Sequence, residues 1–170
     1  NTDLLFASVY GAASGNGPVE IVFKHALSQV KFQAKGSDAQ VDYNVTSVKV
    51  VSPKDGVYNY NENSWTRGDL DSTMYDKSST VYPVVASTSE LTPFGEAQTY
   101  IPGETSFEIE WNCTKNGQTL ATYKRSAPLT LTMGKKTTIQ LTLPNDLSAE
   151  ITFSVTVEDW EEEDQQFTME

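Results

Sequence analysis

Histidine and cysteine, the side chains that most often supply nucleophilic or metal-dependent chemistry, occur once each among the 170 residues of this chain, as His25 and Cys113. One thiol and one imidazole are too few for a zinc site of the usual ligand spacing, and one cysteine excludes an intramolecular disulfide. The sequence contains no phosphate-binding loop or nucleophile elbow, and no serine and acid are spaced so that they can be assigned to His25. Acids that could work as a pair, such as Glu108 and Glu110, fall on outward positions of a predicted strand. We therefore expect no catalytic residues, no metal site and no cofactor, and a structural role for His25.

Four aromatic side chains make a long, polar, loop-rich stretch after residue 57 the best candidate for a ligand-binding region. Tyr58, Tyr60, Trp65 and Tyr75 could together form a platform on which a sugar ring stacks. Aromatic side chains also close the ends of β-sandwiches, and this structural explanation is the more common one. The sequence thus leaves binding of a surface glycan open as the alternative to a structural role.

The same stretch contains Arg67, Gly68 and Asp69, the tripeptide that cell-surface receptors recognise in matrix proteins. Three-residue matches arise often by chance, so receptor binding through this tripeptide is a minor alternative. Asp71 and Asp76 follow it, but the acids lack the spacing of a calcium-binding loop. We expect a solvated, polar loop here.

The charge balance excludes several kinds of partner. The chain carries 12 basic and 23 acidic residues, for a formal net charge of −11. A chain this acidic is repelled by nucleic acid and by anionic lipid. No apolar run reaches the roughly 18–20 residues that cross a bilayer, so we expect no direct insertion of this segment. The length suits one domain over residues 1–170, with an edge strand and loop at 1–17 and an acidic tail at 161–170.

The elements that must position these residues are strands, and the stretch Val19–Ala34 shows their pattern. Apolar residues alternate on odd positions up to Phe23 and on even positions from Val30. Because a slip of one residue turns every side chain to the other face, a bulge or a single helical turn must absorb a residue between Lys24 and Gln29. A strand that changes face in this way can pack on one sheet first and on a second sheet later.

Similar alternation continues to the end of the chain, and no stretch of helical length has a convincing 3.6-residue period. The signals are a second phase slip near Thr46–Ser47, a hairpin-type turn at Pro53–Gly56, a core strand with Trp111 over Phe107–Cys113, a hairpin at Asn116–Gly117, a further hairpin over Leu129–Leu143 and a closing strand over Ile151–Val157. These patterns predict an all-β fold, an antiparallel β-sandwich of two sheets.

Several of these stretches, taken in order, resemble the fimbrillin family, the type V pilins and adhesin-like surface lipoproteins of Gram-negative anaerobes. They are Asp3–Ala7, then Val22–Phe32 with its Phe-x-His-Ala-Leu-Ser-x-Val core, the Leu129–Leu143 segment and the closing Val157–Trp160. The resemblance covers most of the chain.

The resemblance implies a transthyretin-like β-sandwich that forms the C-terminal domain of a longer subunit. It also implies export as a lipoprotein precursor, a place at the outer membrane or in a fimbrium, and other pilin subunits as partners, with a host or bacterial surface glycan or protein as a further partner. Strand physics points to a mechanism for assembly, because an exposed edge strand can pair with an extended segment of another chain. The acidic segment after Trp160 is either such a donated strand or a frayed tail.

Overall fold

The computed structural model describes residues 3–7, 21–76, 80–146 and 151–160, and gives the backbone alone for residues 72–76. Every regular element in these ranges is a β-strand, which confirms the predicted all-β class. The strands are β1 (Leu5–Phe6), β2 (Lys24–His25), β3 (Ser28–Gly36), β4 (Asp42–Pro53), β5 (Gly56–Asn59), β6 (Ser64–Arg67), β7 (Leu70–Asp76), β8 (Tyr82–Val84), β9 (Thr92–Tyr100), β10 (Gly103–Lys115), β11 (Gln118–Leu131), β12 (Lys135–Leu143) and β13 (Thr152–Asp159). The described residues include no helix with the length and hydrophobicity that a bilayer crossing requires.

Nine of these strands form two sheets that pack face to face as a β-sandwich. The four-stranded sheet has the order β13-β12-β3-β9. The five-stranded sheet has the order β11-β10-β4-β7, and β8 also pairs with β4. The remaining strands form two short ribbons, β1–β2 and β5–β6. The predicted two-sheet sandwich is confirmed, while its transthyretin-like character and its extent as one domain over residues 1–170 stay predictions.

The core lies between the two sheets and consists of the alternating apolar side chains of their strands. In β10 the inward row is Phe107, Ile109, Trp111 and Cys113, and each of these side chains is fully or almost fully buried. Phe32 of β3 meets Phe107 edge-on, with 5.9 Å between the ring centres, so this pair joins the two layers. The predicted inward position of Trp111 is confirmed.

The predicted phase slip near Thr46–Ser47 is confirmed, but the predicted inward face before Lys24 is not, because Ile21, Val22 and Phe23 are all exposed and lie outside any strand. The chain bends at Ala26 and Leu27 between β2 and β3. Strand β2 pairs with β1, whereas β3 lies between β12 and β9, so the chain changes sheet at this bend. In β4 the ladder with β10 skips Thr46, and Ser47 and Val48 are consequently both buried. One unpaired residue thus shifts the inward phase, as a β-bulge does.

The predicted hairpin over Leu129–Leu143 is wrong. Strand β11 belongs to the five-stranded sheet, and β12 belongs to the four-stranded sheet, where it lies between β13 and β3. The connection through Gly134 therefore passes from one layer to the other. Leu131 before it and Ile139 after it both point into the core between the layers. Since β12 runs parallel to β3, the sandwich is also not antiparallel throughout.

The Asp-Gly turn at Pro53–Gly56 is likewise not a hairpin. Strand β4 pairs with β10, β7 and β8, while β5 leaves the sheet and pairs with β6. The turn residues redirect the chain, but they do not determine which strands become partners. Asn116 and Gly117, by contrast, close the β10–β11 hairpin as predicted, with φ angles of 52° and 76°.

Candidate binding and assembly sites

The aromatic side chains of the β5–β6 ribbon form a cluster with Phe6 of β1. The Tyr58 ring lies at its centre, 5.2 Å from Phe6, 5.0 Å from Tyr60 and 5.3 Å from Trp65 between ring centres. The structure therefore brings together three of the four predicted ligand residues. Tyr75 lies on β7, whose backbone pairs with β4, and its side chain lies outside the described part of the chain. We call Phe6, Tyr58, Tyr60 and Trp65 the aromatic cluster.

Trp65 of the aromatic cluster attaches the β5–β6 ribbon to the bend at Ala26, and Tyr58 stabilises the ribbon's own turn. The half-buried Trp65 donates its indole N–H to the carbonyl of Ala26 at 2.7 Å. The Tyr58 hydroxyl donates to Oδ1 of Asn63 in the β5–β6 turn, and burial raises the pKa of Tyr58, with a smaller contribution from Tyr60. Tyr60 is 64% exposed, so its ring is the one most open to a ligand.

Sequence reasoning missed Phe6 as a member of the aromatic cluster. Its contact with Tyr58 depends on the pairing of β1 with β2, which brings the start of the chain beside the bend at Ala26. The N–H of Ala26 donates to the carbonyl of Leu4 at 2.8 Å, while its carbonyl accepts from Trp65. No sequence signal links these segments, because neither pairing is local.

The Arg67–Asp69 tripeptide begins at the last residue of β6 and ends directly before β7. The guanidinium of Arg67 donates to the carbonyl of Glu104, so this side chain is engaged by its own chain. The N–H of Gly68 donates to the carbonyl of Asp55 at 2.9 Å. Of the two charged side chains in the tripeptide, Asp69 is the exposed one. A receptor would therefore have to displace Arg67 to read both charges.

His25 joins the β1–β2 ribbon to the end of β13. Its Nδ1 lies 2.6 Å from Oδ2 of Asp3, and its ring stacks on Trp160 at 3.8 Å with an interplanar angle of 4°. The backbone N–H of Trp160 donates to the carbonyl of Gly134 at 3.0 Å. This arrangement agrees with the structural role expected for His25. Within the described ranges, no group of three or more His, Cys, Asp and Glu side chains is placed to hold a metal ion.

The most unusual surface of the fold is the edge formed by β13. No described strand pairs with the side of β13 that faces away from β12. Phe153, Val155 and Val157 each lie opposite a buried residue of β12, so they share the inward face. They are nevertheless 40%, 39% and 52% exposed, although Phe153 meets Phe107 edge-on at 5.7 Å. We call these three residues the β13 inner row, and the five-stranded sheet covers it only in part.

The alternation of Ile151–Val157 predicted a strand with an inward apolar face, but it carried no signal that this face would stay half exposed. How far the β13 inner row is buried depends on which strand of the opposite sheet packs over it. That packing is set by the tertiary structure and not by the local sequence. The segment that follows Trp160, the candidate donor strand, lies outside the described residues.

Comparison with known proteins gives one family. A family model described as fimbrillin-like matches residues 1–160. A fimbrial protein from Bacteroides vulgatus superposes with a TM-score of 0.57 at 17% sequence identity, over 83% of this chain and 56% of that chain. A candidate cell adhesion protein from Bacteroides eggerthii superposes with a TM-score of 0.50 at 14% identity, over 82% of this chain and 57% of that chain.

The likeness to these solved structures is one of fold, because the identities are low. The chain spans little more than half the length of either protein. A search among curated protein sequences gives no match.

Proposed function

The chain belongs to the fimbrillin-like family, and from this premise we propose that the protein is a structural or adhesive subunit of a fimbria-like assembly on the bacterial cell surface. The family consists of structural and adhesive proteins rather than enzymes. Within the proposal, the protein is exported as a lipoprotein precursor, reaches the outer membrane or a fimbrium, and associates with other pilin subunits.

The proposed mode of association is strand addition at β13, and the state of the other edges supports it. Natural sheets blunt their edges with proline, bulges or short strands, since unpaired N–H and C=O groups attract other chains. Edge strand β9 contains Pro93 and a register shift near Gly95, where φ is 67°. Edge strand β11 contains Pro128, the short β8 contains Pro83, and the ladder of edge strand β7 with β4 contains a register shift. Strand β13 has none of these protections.

The observation that carries the proposal is the combination of this regular edge with the β13 inner row. Eight successive residues of β13 pair with β12 without a register shift. A strand added to the outer side of β13 would place its own inward side chains beside Phe153, Val155 and Val157. Covering each half-exposed side chain is worth about 1 kcal/mol, in addition to the new backbone hydrogen bonds.

A charge placed on the inner row tests strand addition. We expect Val155→Lys to reduce or abolish filaments of the full-length protein, because an inward charge at an edge opposes pairing with a second chain. Val155 is already 39% exposed, so the subunit itself should still fold. The measurement is negative-stain electron microscopy of cells that produce the full-length variant, with its thermal melting as a check on folding.

Thr156→Lys is the matched control, because Thr156 lies on the same strand and points to the opposite, solvent-facing side. This variant should form filaments as the unmodified protein does. Normal filaments from Val155→Lys, or equal loss from both variants, would contradict assembly through the inner row.

A second candidate function, binding of a neutral surface glycan, is favoured by the exposed ring of Tyr60 within the aromatic cluster. Sugar rings stack on aromatic faces, and Asn59 Oδ1 accepts hydrogen bonds from the N–H groups of Asn61 and Glu62, which order the turn that presents Tyr60. We expect Tyr60→Ala to weaken such binding about tenfold in titration calorimetry with neutral polysaccharides while leaving stability within about 0.5 kcal/mol. Unchanged binding by Tyr60→Ala, or no binding by the unmodified protein, removes this candidate.

A further inference from the structure

The outer face of the four-stranded sheet differs in charge from the molecule as a whole. On β3, β12 and β13 the outward positions alternate with the positions that face the core, and all of them are polar. Three of these residues are lysines, Lys31, Lys35 and Lys136, and one is an acid, Glu158. In a chain whose acidic residues outnumber its basic residues by 23 to 12, the outward positions of these three strands are locally cationic, while β9 adds the exposed acid Glu96 to the sheet.

Side chains on this face lie in regular rows across the three strands. Lys35 of β3 is in register with Thr142 of β12, which is in register with Thr152 of β13. The next row along contains Gln140 beside Ser154. Successive rows are about 6.7 Å apart along the strands, and neighbouring residues within a row are about 4.8 Å apart, as sheet geometry requires. A rigid backbone therefore presents an ammonium group, an amide and several hydroxyls at fixed spacings.

These two rows line a shallow cavity of about 220 Å³. Its lining includes Lys35, Gln140, Thr142, Thr152 and Ser154, with Leu91 contributing from the segment before β9. Lys35 forms no salt bridge with any residue in the described ranges. Its charge is thus available to a ligand, and the neighbouring groups can donate and accept hydrogen bonds.

We propose that this cavity binds a carboxylated sugar, such as a uronic acid residue within a polysaccharide. The carboxylate pairs with the Lys35 ammonium, and the sugar hydroxyls bond to Gln140 and to the hydroxyls of Thr142, Thr152 and Ser154. Leu141 and Phe153 complete the lining and add an apolar side to the cavity, so the Lys35 charge and the polar groups select the carboxylated sugar while Phe153 offers the sugar ring an apolar contact. Repulsion by the acidic remainder of the protein is weak beyond about 8 Å at physiological salt.

A second copy of this chain fits the cationic face less well. The outer face of the five-stranded sheet carries acids on β10, but Glu108 and Glu110 both pair with Lys124, at 2.7 and 3.0 Å. These two carboxylates are already engaged by one lysine within their own chain, where they also raise the pKa of Lys124, so they are less available to a second copy. A free polyanion meets no such competition.

Binding of oligogalacturonate to this chain, followed by affinity capillary electrophoresis, tests the proposal. The fully methyl-esterified oligomer serves as the neutral control, and a sialylated oligosaccharide shows whether a second kind of carboxylated sugar is accepted. We expect binding of a carboxylated probe, no binding of the methyl ester, and about tenfold weaker binding by Lys35→Gln. Lys115→Gln removes the same charge from the β10–β11 hairpin and should bind as the unmodified protein does.

The outcomes separate this site from the other surfaces. Tyr60→Ala and Val155→Lys should leave binding of the carboxylated probe unchanged, because neither residue lines the cavity. The carboxylated-sugar site can therefore be tested even if strand addition or neutral-glycan binding proves wrong. The proposal is overturned if no carboxylated probe binds, if the methyl ester binds equally, or if Lys115→Gln weakens binding as much as Lys35→Gln. It is also overturned if Lys35→Gln changes only self-association in sedimentation, because the face then belongs to an interface between copies.

Discussion

At the residue scale, Trp111 and Cys113 show how burial in the inward row of β10 makes a cysteine unreactive. Both side chains are completely buried, and both contact the carbonyl of Pro144, the indole nitrogen at 3.1 Å and the thiol sulfur at 3.6 Å. Burial raises the pKa of Cys113 to about 11, while the hydrogen bond from Trp111 acts in the opposite direction. Because the thiolate is the reactive form, this cysteine serves packing rather than chemistry.

The raised pKa predicts slow labelling of Cys113 in the folded protein. At pH 8 ionisation alone reduces the thiolate fraction about 100-fold relative to a thiol of pKa 9.0, and burial reduces access further. The measurement is the rate of reaction with a thiolate-directed reagent, with and without denaturant. Labelling of the folded protein as fast as the unfolded chain would contradict the buried position.

The same shift predicts a pH dependence of stability. Between pH 9 and about 11 the unfolded chain loses the thiol proton while the folded protein keeps it, so the free energy of unfolding falls as pH rises. Below pH 9 both states keep the proton, and this contribution to stability is fully present. Urea unfolding of Cys113→Ser provides the comparison, because the serine hydroxyl does not titrate there. Equal slopes for the two proteins across this window would contradict the shift.

At the element scale, the end of β3 and the β10–β11 hairpin use glycine for two different reasons. A Cβ added to Gly36 would overlap the ring of Tyr43, which is buried on β4 and accepts a hydrogen bond from the N–H of Asp38 at 3.1 Å. A Cβ added to Gly117 would meet no atom within 4 Å, but its φ of 76° is unfavourable for other residues. Gly36 is required because the Tyr43 ring leaves no space for a side chain, and Gly117 is required because of its positive φ.

These reasons predict unequal costs for the same substitution. Gly36→Ala should lower the free energy of unfolding by about 3 kcal/mol, since a buried ring must move. Gly117→Ala should lower it by about 1 kcal/mol, from backbone strain alone. Urea unfolding of both variants measures the difference. A larger loss for Gly117→Ala than for Gly36→Ala would mean that the Tyr43 ring adjusts without cost.

At the scale of the whole molecule, the two packed sheets contain the hydrophobic core, and two short ribbons are attached to their surface. A two-stranded ribbon is marginally stable alone, so each depends on its attachment to the sandwich. The β1–β2 ribbon is held by His25 through Asp3 and Trp160, and the β5–β6 ribbon by the bond from Trp65 to Ala26. The candidate surfaces differ accordingly: the aromatic cluster lies on ribbons, while the β13 inner row and the Lys35 cavity lie on the sandwich.

This division predicts graded hydrogen exchange. Amides of the central strands β3, β4, β10 and β12 should exchange slowest, near the rate set by global unfolding, because both of their edges are paired. Amides of β5 and β6 should exchange much faster through local opening. Exchange followed by mass spectrometry or NMR measures both groups. Equal protection of the β5–β6 ribbon and β10 would show that the ribbon unfolds only with the core.

The sequence by itself determined the all-β class, the inward row around Trp111, the Asn116–Gly117 hairpin and the phase slip near Thr46–Ser47. These features are local, because side-chain alternation and turn chemistry depend on residues close together in the chain. Only the tertiary structure decided that β12 runs beside β3 rather than β11, that Phe6 joins the aromatic cluster, and that β13 keeps an uncovered inner row. An alternating pattern specifies which face of a strand is apolar, but the same pattern suits several neighbours. Which neighbour it meets depends on how both layers fill one core, and that choice is made by the whole chain at once.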